Sequence, residues 1–294
     1  MQKRNVLNSP RILELKKEKR RTILNKILIF FICFLILFFF SAYLSNLKKI
    51  NIAEIQINGN SVVDTKAIRQ TVEEKIKGKY LWLFPKTNIF FYPQNDIKNE
   101  LQKKFERLKD INLSIKNNKI LEIFITERVA KYTWCGTEFA KLSEALLKEE
   151  CYFLDDDGYV IDKAPYFSGN VYFRFYGLID GLSDSANDPL GLYFFKQNFK
   201  SLSSFKHVFT SIGLNPVALY VTNNGDVEVF LSKGIKSANE PKIIFKMNAD
   251  FQNILENLQT ALNTEPLKSK FKNKYGSLEY IDLRFGNKVY DKFL

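Results

Sequence analysis

The spacing of hydrophobic positions changes character several times along this chain, and each change marks an element. Ile27 to Leu44 reads ILIFFICFLILFFFSAYL, an apolar run without a charge. As a helix it reaches about 27 Å, close to the hydrocarbon thickness of about 30 Å, and with no polar face it is expected to cross a membrane. Next, Ile52 to Ile57 reads as a short strand closing in the turn pair Gly59-Asn60. Ile68, Val72 and Ile76 then recur four apart behind a capping Asp64 and before Gly78, and Ile97, Leu101 and Phe105 do the same behind Pro93. Both are amphipathic helices. The period then drops to two. Ile111, Leu113 and Ile115 alternate with polar residues, Asn117-Asn118 turns the chain, and Leu121, Ile123 and Ile125 alternate again, as in a β-hairpin.

The remainder, from Val129, is strand-dominated. A hairpin is expected over Phe153–Ile161 around Asp156-Asp157-Gly158, a strand over Asn170–Tyr176, and a second hairpin from Val217–Val221 and Val227–Leu231 across Asn223-Asn224-Gly225-Asp226. Asp188-Pro189 is read as the start of a helix with Leu192, Phe195, Phe199 and Leu202 on one face. A strand at Lys242–Met247 precedes a helix capped by Asn248, with Phe251, Ile254, Leu255, Leu258 and Leu262 on its apolar side. Leu278 to Tyr290 reads as one closing strand. The fold class that follows is α+β: an N-terminal transmembrane helix, a β-α-α-β-β module, then a β-rich domain with two or more helices packed on a mostly antiparallel sheet. The boundaries are a basic tail over 1–26, a span over 27–47, the first module over 50–128 and the β domain over 129–294.

Charge sharpens this outline. The formal net charge is +12, and residues 1–26 hold nine Lys/Arg against Glu14 and Glu18. The excess of basic residues before the span, against Lys48 and Lys49 behind it, predicts a cytoplasmic N-terminus and an extracytoplasmic bulk. The tail carries +7 of this and the remaining +5 is spread over the other 268 residues, so a nucleic-acid partner is not expected. No small-residue cleavage site follows the apolar run, which predicts an uncleaved anchor in the cytoplasmic membrane. Cys33 lies within the span, and an oxidising compartment would permit a bridge between Cys135 and Cys151, with two separate thiols as the alternative.

Candidate chemistry is sparse. His207 is the single histidine, no metal-ligand spacing surrounds it, and the glycines form no phosphate-binding pattern, so neither a metal nor a cofactor is expected. Ser203-Ser204-Phe205-Lys206 matches S-x-x-K and Ser237-Ala238-Asn239 matches S-x-N, as in a wall transpeptidase, but the K-T-G element is missing. Asp155-Asp156-Asp157 lacks the alternate acidic positions and the distal Glu of a calcium loop and reads as a solvated hairpin tip.

The order of elements resembles the FtsQ/DivIB family of bacterial cell-division proteins. Ile57-Asn58-Gly59-Asn60-Ser61 is similar to the start of that family's POTRA domain, and Thr126-Glu127-Arg128 to the Glu-Arg ending it. Phe153-Leu154-Asp155 through Gly158-Tyr159-Val160 resembles the family's next hairpin, and Tyr280-Ile281-Asp282-Leu283-Arg284-Phe285 with Lys288-Val289-Tyr290 its closing strand. The resemblance covers about residues 20–292 and departs at Ala130, where the family often has Pro. It implies a non-enzymatic divisome scaffold at the septum that binds an FtsB/FtsL-like pair by strand addition and helps regulate septal peptidoglycan synthesis, with further division proteins reached through the POTRA domain or the span. On this reading Tyr280, Asp282, Arg284, Phe285, Lys288, Val289 and Tyr290 form the partner-binding edge, Arg284 or Lys288 facing a partner carboxylate and Tyr280 or Tyr290 serving as aromatic anchors. A wall-associated transpeptidase-like enzyme and a POTRA-containing secretion or assembly component are the competing readings. The latter would need a closing barrel of amphipathic strands, which this sequence does not suggest.

Overall fold

The computed structural model describes residues 10–139, 150–182, 188–232 and 240–294. They form a mixed α+β protein of two compact units, one comprising the chain through Leu101 with Asp110–Thr126, the other Gln102–Lys109 with Glu127–Leu294.

In the first unit, α1 runs from Pro10 to Ser45 as one helix of 36 residues. It is long and apolar enough to cross a membrane. It begins within the basic tail because Leu, Glu, Lys and Arg there are all good helix formers. It ends at Ser45, where side chains replace the lost backbone partners: Asn46 Nδ2 donates to the Ala42 carbonyl at 2.7 Å and Asn51 Nδ2 to the Ser45 carbonyl at 2.9 Å. The strand β1 (Glu54–Asn58) then leads to α2 (Thr65–Ile76), whose first turn is capped by Asp64 and whose Ile68, Val72 and Ile76 are buried as the period predicts. A two-residue ladder, β2 (Lys79–Tyr80) with β3 (Phe84–Pro85), interrupts the connection to α3 (Gln94–Lys104). The strands β4 (Leu108–Lys116) and β5 (Ile120–Glu127) follow, joined by Asn117 and Asn118, both left-handed. The sheet order is β1-β5-β4, with β1 parallel to β5. A parallel pair needs a crossover, which α2 and α3 provide.

The second unit is built on a nine-stranded sheet of order β14-β13-β12-β11-β10-β9-β6-β7-β8. Its strands are β6 (Tyr132–Trp134), β7 (Tyr152–Leu154), β8 (Val160–Lys163), β9 (Phe173–Tyr176), β10 (Pro216–Val221), β11 (Asp226–Leu231), β12 (Lys242–Lys246), β13 (Leu278–Phe285) and β14 (Lys288–Phe293). Antiparallel pairings predominate, but β6–β9, β9–β10 and β12–β13 are parallel. Two of these crossovers carry the helices: α4 (Phe199–Ser211) between β9 and β10, and α5 (Phe251–Asn263) with α6 (Leu267–Lys274) between β12 and β13. All three helices contribute to one large core, where Phe199, Leu202, Phe205 and Phe209 of α4 and Ile254 and Leu258 of α5 cover Phe175, Leu219, Val229, Phe245 and Ile281. A smaller cluster of Tyr176, Ala218 and Phe230 lies apart from it, with Phe139 stacked on Phe230 at 3.8 Å. Cys135 and Cys151 belong to that cluster and are joined in a disulfide, Cα atoms 4.1 Å apart.

Three sequence expectations change. The helix predicted from Pro189 begins at Phe199, because the backbone before it serves as a strand-like bridge: Val160 N–H donates to the Leu192 carbonyl and Asp180 N–H to the Tyr193 carbonyl, while Gly191 and Phe195 are left-handed. The cap of α5 is Asp250, which accepts from Gln252 N–H at 2.9 Å, rather than Asn248. The single closing strand is a hairpin, since Gly286 is left-handed (φ 65°) and reverses the chain.

The triple aspartate, expected as a solvated hairpin tip, is instead organised by burial of its first member. Asp155 is 1% exposed, accepts from the backbone N–H groups of Asp157 and Tyr159 at 2.8 and 2.9 Å, and pairs with Arg128. The Arg128 guanidinium also lies 3.7 Å over the Tyr159 ring, and the Tyr159 hydroxyl donates to Glu106. Burial and the Glu106 carboxylate together push the Tyr159 phenol well above its ordinary range. Gly158 turns this hairpin with φ 78°, and a Cβ there would sit 2.7 Å from the Phe199 ring. Asp155→Ala would strand the Arg128 charge in a buried site, so a loss of about 3–5 kcal/mol in denaturant unfolding is expected. A loss under about 1 kcal/mol, the range of a surface pair, would contradict this role.

Candidate functional site

The sheet's two ends differ. At the β8 end the backbone of Val160 is engaged by the next segment, donating to the Leu192 carbonyl and accepting from Gly191 N–H at 2.9 and 3.1 Å. At the other end β14 is the last strand, and among the described residues no strand pairs with its outer side. Its exposure alternates, Lys288, Tyr290 and Lys292 exposed and Val289, Asp291 and Phe293 half-buried. Val289 and Phe293 pack on the main core and Asp291 accepts from Lys270 at 2.9 Å, so one face of the edge strand is held to the helices and the other is open.

The register carries that open face inward across the sheet. Glu228, Ile244, Asp282 and Tyr290 are successive cross-strand partners, and beside them run Phe230, Lys242, Tyr280 and Lys292. At the hairpin end Phe285 and Tyr290 are 56% and 50% exposed, and their rings meet edge to face at 5.3 Å. Next to Phe285 a shallow cleft of about 640 Å³ is lined by Asp226, Lys246, Met247, Asn248 and Arg284. Asn257 Nδ2 donates to the Gly286 carbonyl at 3.1 Å, tying the reversal to α5.

These positions revise the roles of the predicted edge residues. Tyr280 and Asp282 lie on β13, whose backbone is already paired with β12 on one side and β14 on the other, so they cannot template a partner's main chain. Lys288, Val289 and Tyr290 sit on the edge strand itself. Arg284 is not available to a partner carboxylate, because it is clamped by two of the protein's own: Nη2 donates to Asp282 Oδ2 at 2.6 Å and Nη1 to Asp226 Oδ2 at 2.7 Å. The carboxylate of the pair is out of water, since the Asp282 side chain is only 7% exposed. Burial pushes the Asp282 carboxyl up, but the Arg284 hydrogen bonds outweigh it and leave it below its ordinary value. Both carboxylates hold the Arg284 guanidinium even more firmly protonated than usual. Asp226, 58 residues distant, was not legible as its partner, because nothing in the spacing places a hairpin-turn residue opposite the last crossover strand.

The remaining candidates are accounted for by their neighbours. Asp156 and Asp157 lie on a hairpin tip answered by cations: Asp156 by Lys131 at 3.2 Å and Lys109 at 3.7 Å, Asp157 by Lys109 at 2.8 Å and Lys200 at 3.4 Å. Burial raises the Asp156 carboxyl and the two lysines more than compensate, while the hydrogen bond from Lys109 lowers Asp157. With Arg128 on Asp155, the triad is neutralised by the protein's own charges and is poorly suited to a divalent cation. Ser203 lies within α4, and its Oγ donates to the Lys200 carbonyl at 3.1 Å. His207 is exposed on the same helix. Ser237, Ala238 and Asn239 lie outside the described residues.

No family model matches this chain, and no curated protein matches it either.

Asp282→Asn should remove the charge that clamps Arg284 and lower the unfolding free energy by about 1–3 kcal/mol near neutral pH. The carboxyl is held below its ordinary 3.8, so its contribution is complete above 3.8 and fades as the pH falls through the lower folded value. The difference between wild type and variant in thermal or denaturant unfolding should therefore close in acid. A difference that is constant with pH, or that grows in acid, would place its origin elsewhere.

Proposed function

We propose that this chain is a membrane-anchored, non-enzymatic scaffold of the bacterial divisome whose β14 edge accepts an added strand from an FtsB/FtsL-like partner. One observation carries the reading: among the described residues β14 ends a nine-stranded sheet with no strand beside it, while the exposed Phe285 and Tyr290 stand next to that edge. Main-chain pairing supplies affinity that any extended segment could use, and flanking aromatic residues supply selectivity. The charges of Lys288, Asp291 and Lys292 along the edge disfavour indiscriminate pairing, as natural edge strands require.

The order β-α-α-β-β with β1 parallel to β5 in the first unit supports the POTRA reading suggested by Gly59-Asn60 and Glu127-Arg128. Gly59 illustrates why that turn takes glycine: its φ is 91°, and a Cβ there would run into the Ile125 carbonyl oxygen. The basic residues before the span support a cytoplasmic N-terminus, with both units outside and the protein acting at the septum. In this role Phe285 and Tyr290 are the anchors, Lys288 is the cation able to meet a partner carboxylate, and Asp282, Arg284 and Asp226 support the strand beside the edge.

The test is co-purification and titration of the full-length protein with an FtsB/FtsL-type pair from the same cell. Phe285→Ala combined with Tyr290→Ala should weaken binding about 10-fold or more without changing the unfolding midpoint appreciably. Removal of Lys288–Leu294 should abolish it. A folded wild-type protein that binds no such pair would remove the divisome assignment, and binding indifferent to both changes would move the contact away from β14.

A further inference from the structure

Within the first unit, the β2–β3 hairpin and the turn behind it present a concentrated exposed apolar surface. Trp82 is 92% exposed, Leu81 75%, Phe90 72% and Phe91 55%. None is needed by the core of that unit, which is made by Ile68, Val72, Ile97, Leu101, Leu121 and Ile123. Large aromatic side chains standing together in water mark a binding surface.

The backbone that displays them is strained. Leu81 and Trp82 both have positive φ, 46° and 60°, in a hairpin whose flanking pairs are Lys79–Pro85 and Tyr80–Phe84. Such a turn ordinarily takes Asn or Gly, and a bulky side chain there is sterically disfavoured. Here the two most exposed positions are Leu and Trp, so their side chains are retained against the local conformational preference. Strain of this kind is characteristic of functional sites.

What covers the surface follows from its position along α1. The hairpin is docked on one stripe of that helix: the Phe84 ring packs on Phe38 at 5.5 Å and the Leu83 carbonyl accepts from Asn46 Nδ2 at 2.9 Å. Asn88, 1% exposed, donates to Ser45 Oγ at 2.9 Å. Along that stripe Phe38 is half-buried and Ala42 and Ser45 are buried, whereas most of the apolar helix is exposed. Phe38 lies about 10 Å back from Ser45 along the axis. Phe84 therefore shares the surroundings of a residue well inside the apolar run, and the hairpin runs beside the end of that run instead of beyond it. Lys48, Lys49, Lys77, Lys79 and Lys86 flank it, and no acidic residue occurs between Lys77 and Gln94.

We infer that the β2–β3 hairpin and the Phe90-Phe91 turn are seated in the interfacial layer of the bilayer that α1 crosses, with the neighbouring lysines directed to anionic lipid phosphates. Trp beside Lys is the composition of that layer: the ring prefers the headgroup level, and each lysine near an anionic surface adds attraction. The first unit is then held against the membrane by two elements, α1 and the hairpin. The inference rests on α1 being a membrane span and not on the identity of the partner at β14.

The chain has two tryptophans, and Trp134 is only 6% exposed, so the difference between wild type and Trp82→Phe isolates the hairpin's signal. The full-length protein is reconstituted into phosphatidylcholine–phosphatidylglycerol vesicles with or without brominated acyl chains. The expected result is a blue-shifted Trp82 emission, mostly lost in the brominated vesicles and insensitive to aqueous iodide. Emission typical of water and quenched by iodide, in protein that resists alkaline carbonate extraction, would overturn the inference while leaving the span intact. Blue-shifted emission without bromine quenching would also overturn it, by assigning the surface to a protein, including a second copy of this chain. Extraction of the protein by carbonate would remove the span and the inference together.

Discussion

The second unit depends most on the buried pairing of Arg128 with Asp155. A charge out of water is tolerated only when an opposite charge and hydrogen bonds replace its hydration. Asp155 has both, whereas the buried Arg128 Nε finds no hydrogen-bond acceptor among the described residues, and that guanidinium is held by the carboxylate and an aromatic face. Asp155 has Arg128 and two backbone N–H groups, and Arg128 has Asp155 and the face of Tyr159. The pair ties the segment entering β6 to the turn between β7 and β8. Further bonds converge on that hairpin from residues just before β4 and at its start: Glu106 on Tyr159, Arg107 on Asp162 at 2.9 Å, Lys109 on Asp157 at 2.8 Å. This explains why Gln102–Lys109 clusters with the second unit although Asp110–Thr126 belongs to the first.

From that fixed end the sheet grows in one direction, with its helices on a single core. Parallel pairs require crossovers, two of the three crossovers carry helices, and α4, α5 and α6 all pack into the same cluster. The other side of the sheet near β14 keeps a polar and aromatic surface, in which Arg284 joins Asp282 to Asp226 and so links β13 with β11 across the intervening strand. The side chains of β13 next to the open edge are thus held in place by the protein's own charges.

The first unit solves a different problem. A long apolar helix emerging into water would leave its last carbonyls without partners, and Asn46 and Asn51 supply them. Asn46 also bonds Leu83 and Asn88 bonds Ser45, so the residues that end the helix also bind the β2–β3 hairpin to it. The β2–β3 hairpin and the end of α1 are consequently one structural element.

Local pattern was enough to reveal much of this. The apolar run at Ile27–Leu44, the four-residue spacing of Ile68, Val72 and Ile76, the alternation from Ile111 to Ile125, and the turns at Asn117-Asn118 and Asn224-Gly225 are properties of neighbouring residues, and helix, strand and turn energetics act at that range. The alternation that makes Leu278–Tyr290 extended was legible for the same reason. Tertiary structure decided the rest. Leu192 and Phe195 have helical spacing, yet the backbone between Gly191 and Phe194 is bound to Val160, Gly158 and Asp180, and those hydrogen bonds outweigh local preference. Asp282 and Arg284 looked like outward edge residues, but the reversal at Gly286 added another strand outside them, and Asp226 drew Arg284 inward across the sheet. Which strand lies at the edge, and which charge is already satisfied, depends on residues far apart in the chain, and no periodicity records how such residues meet.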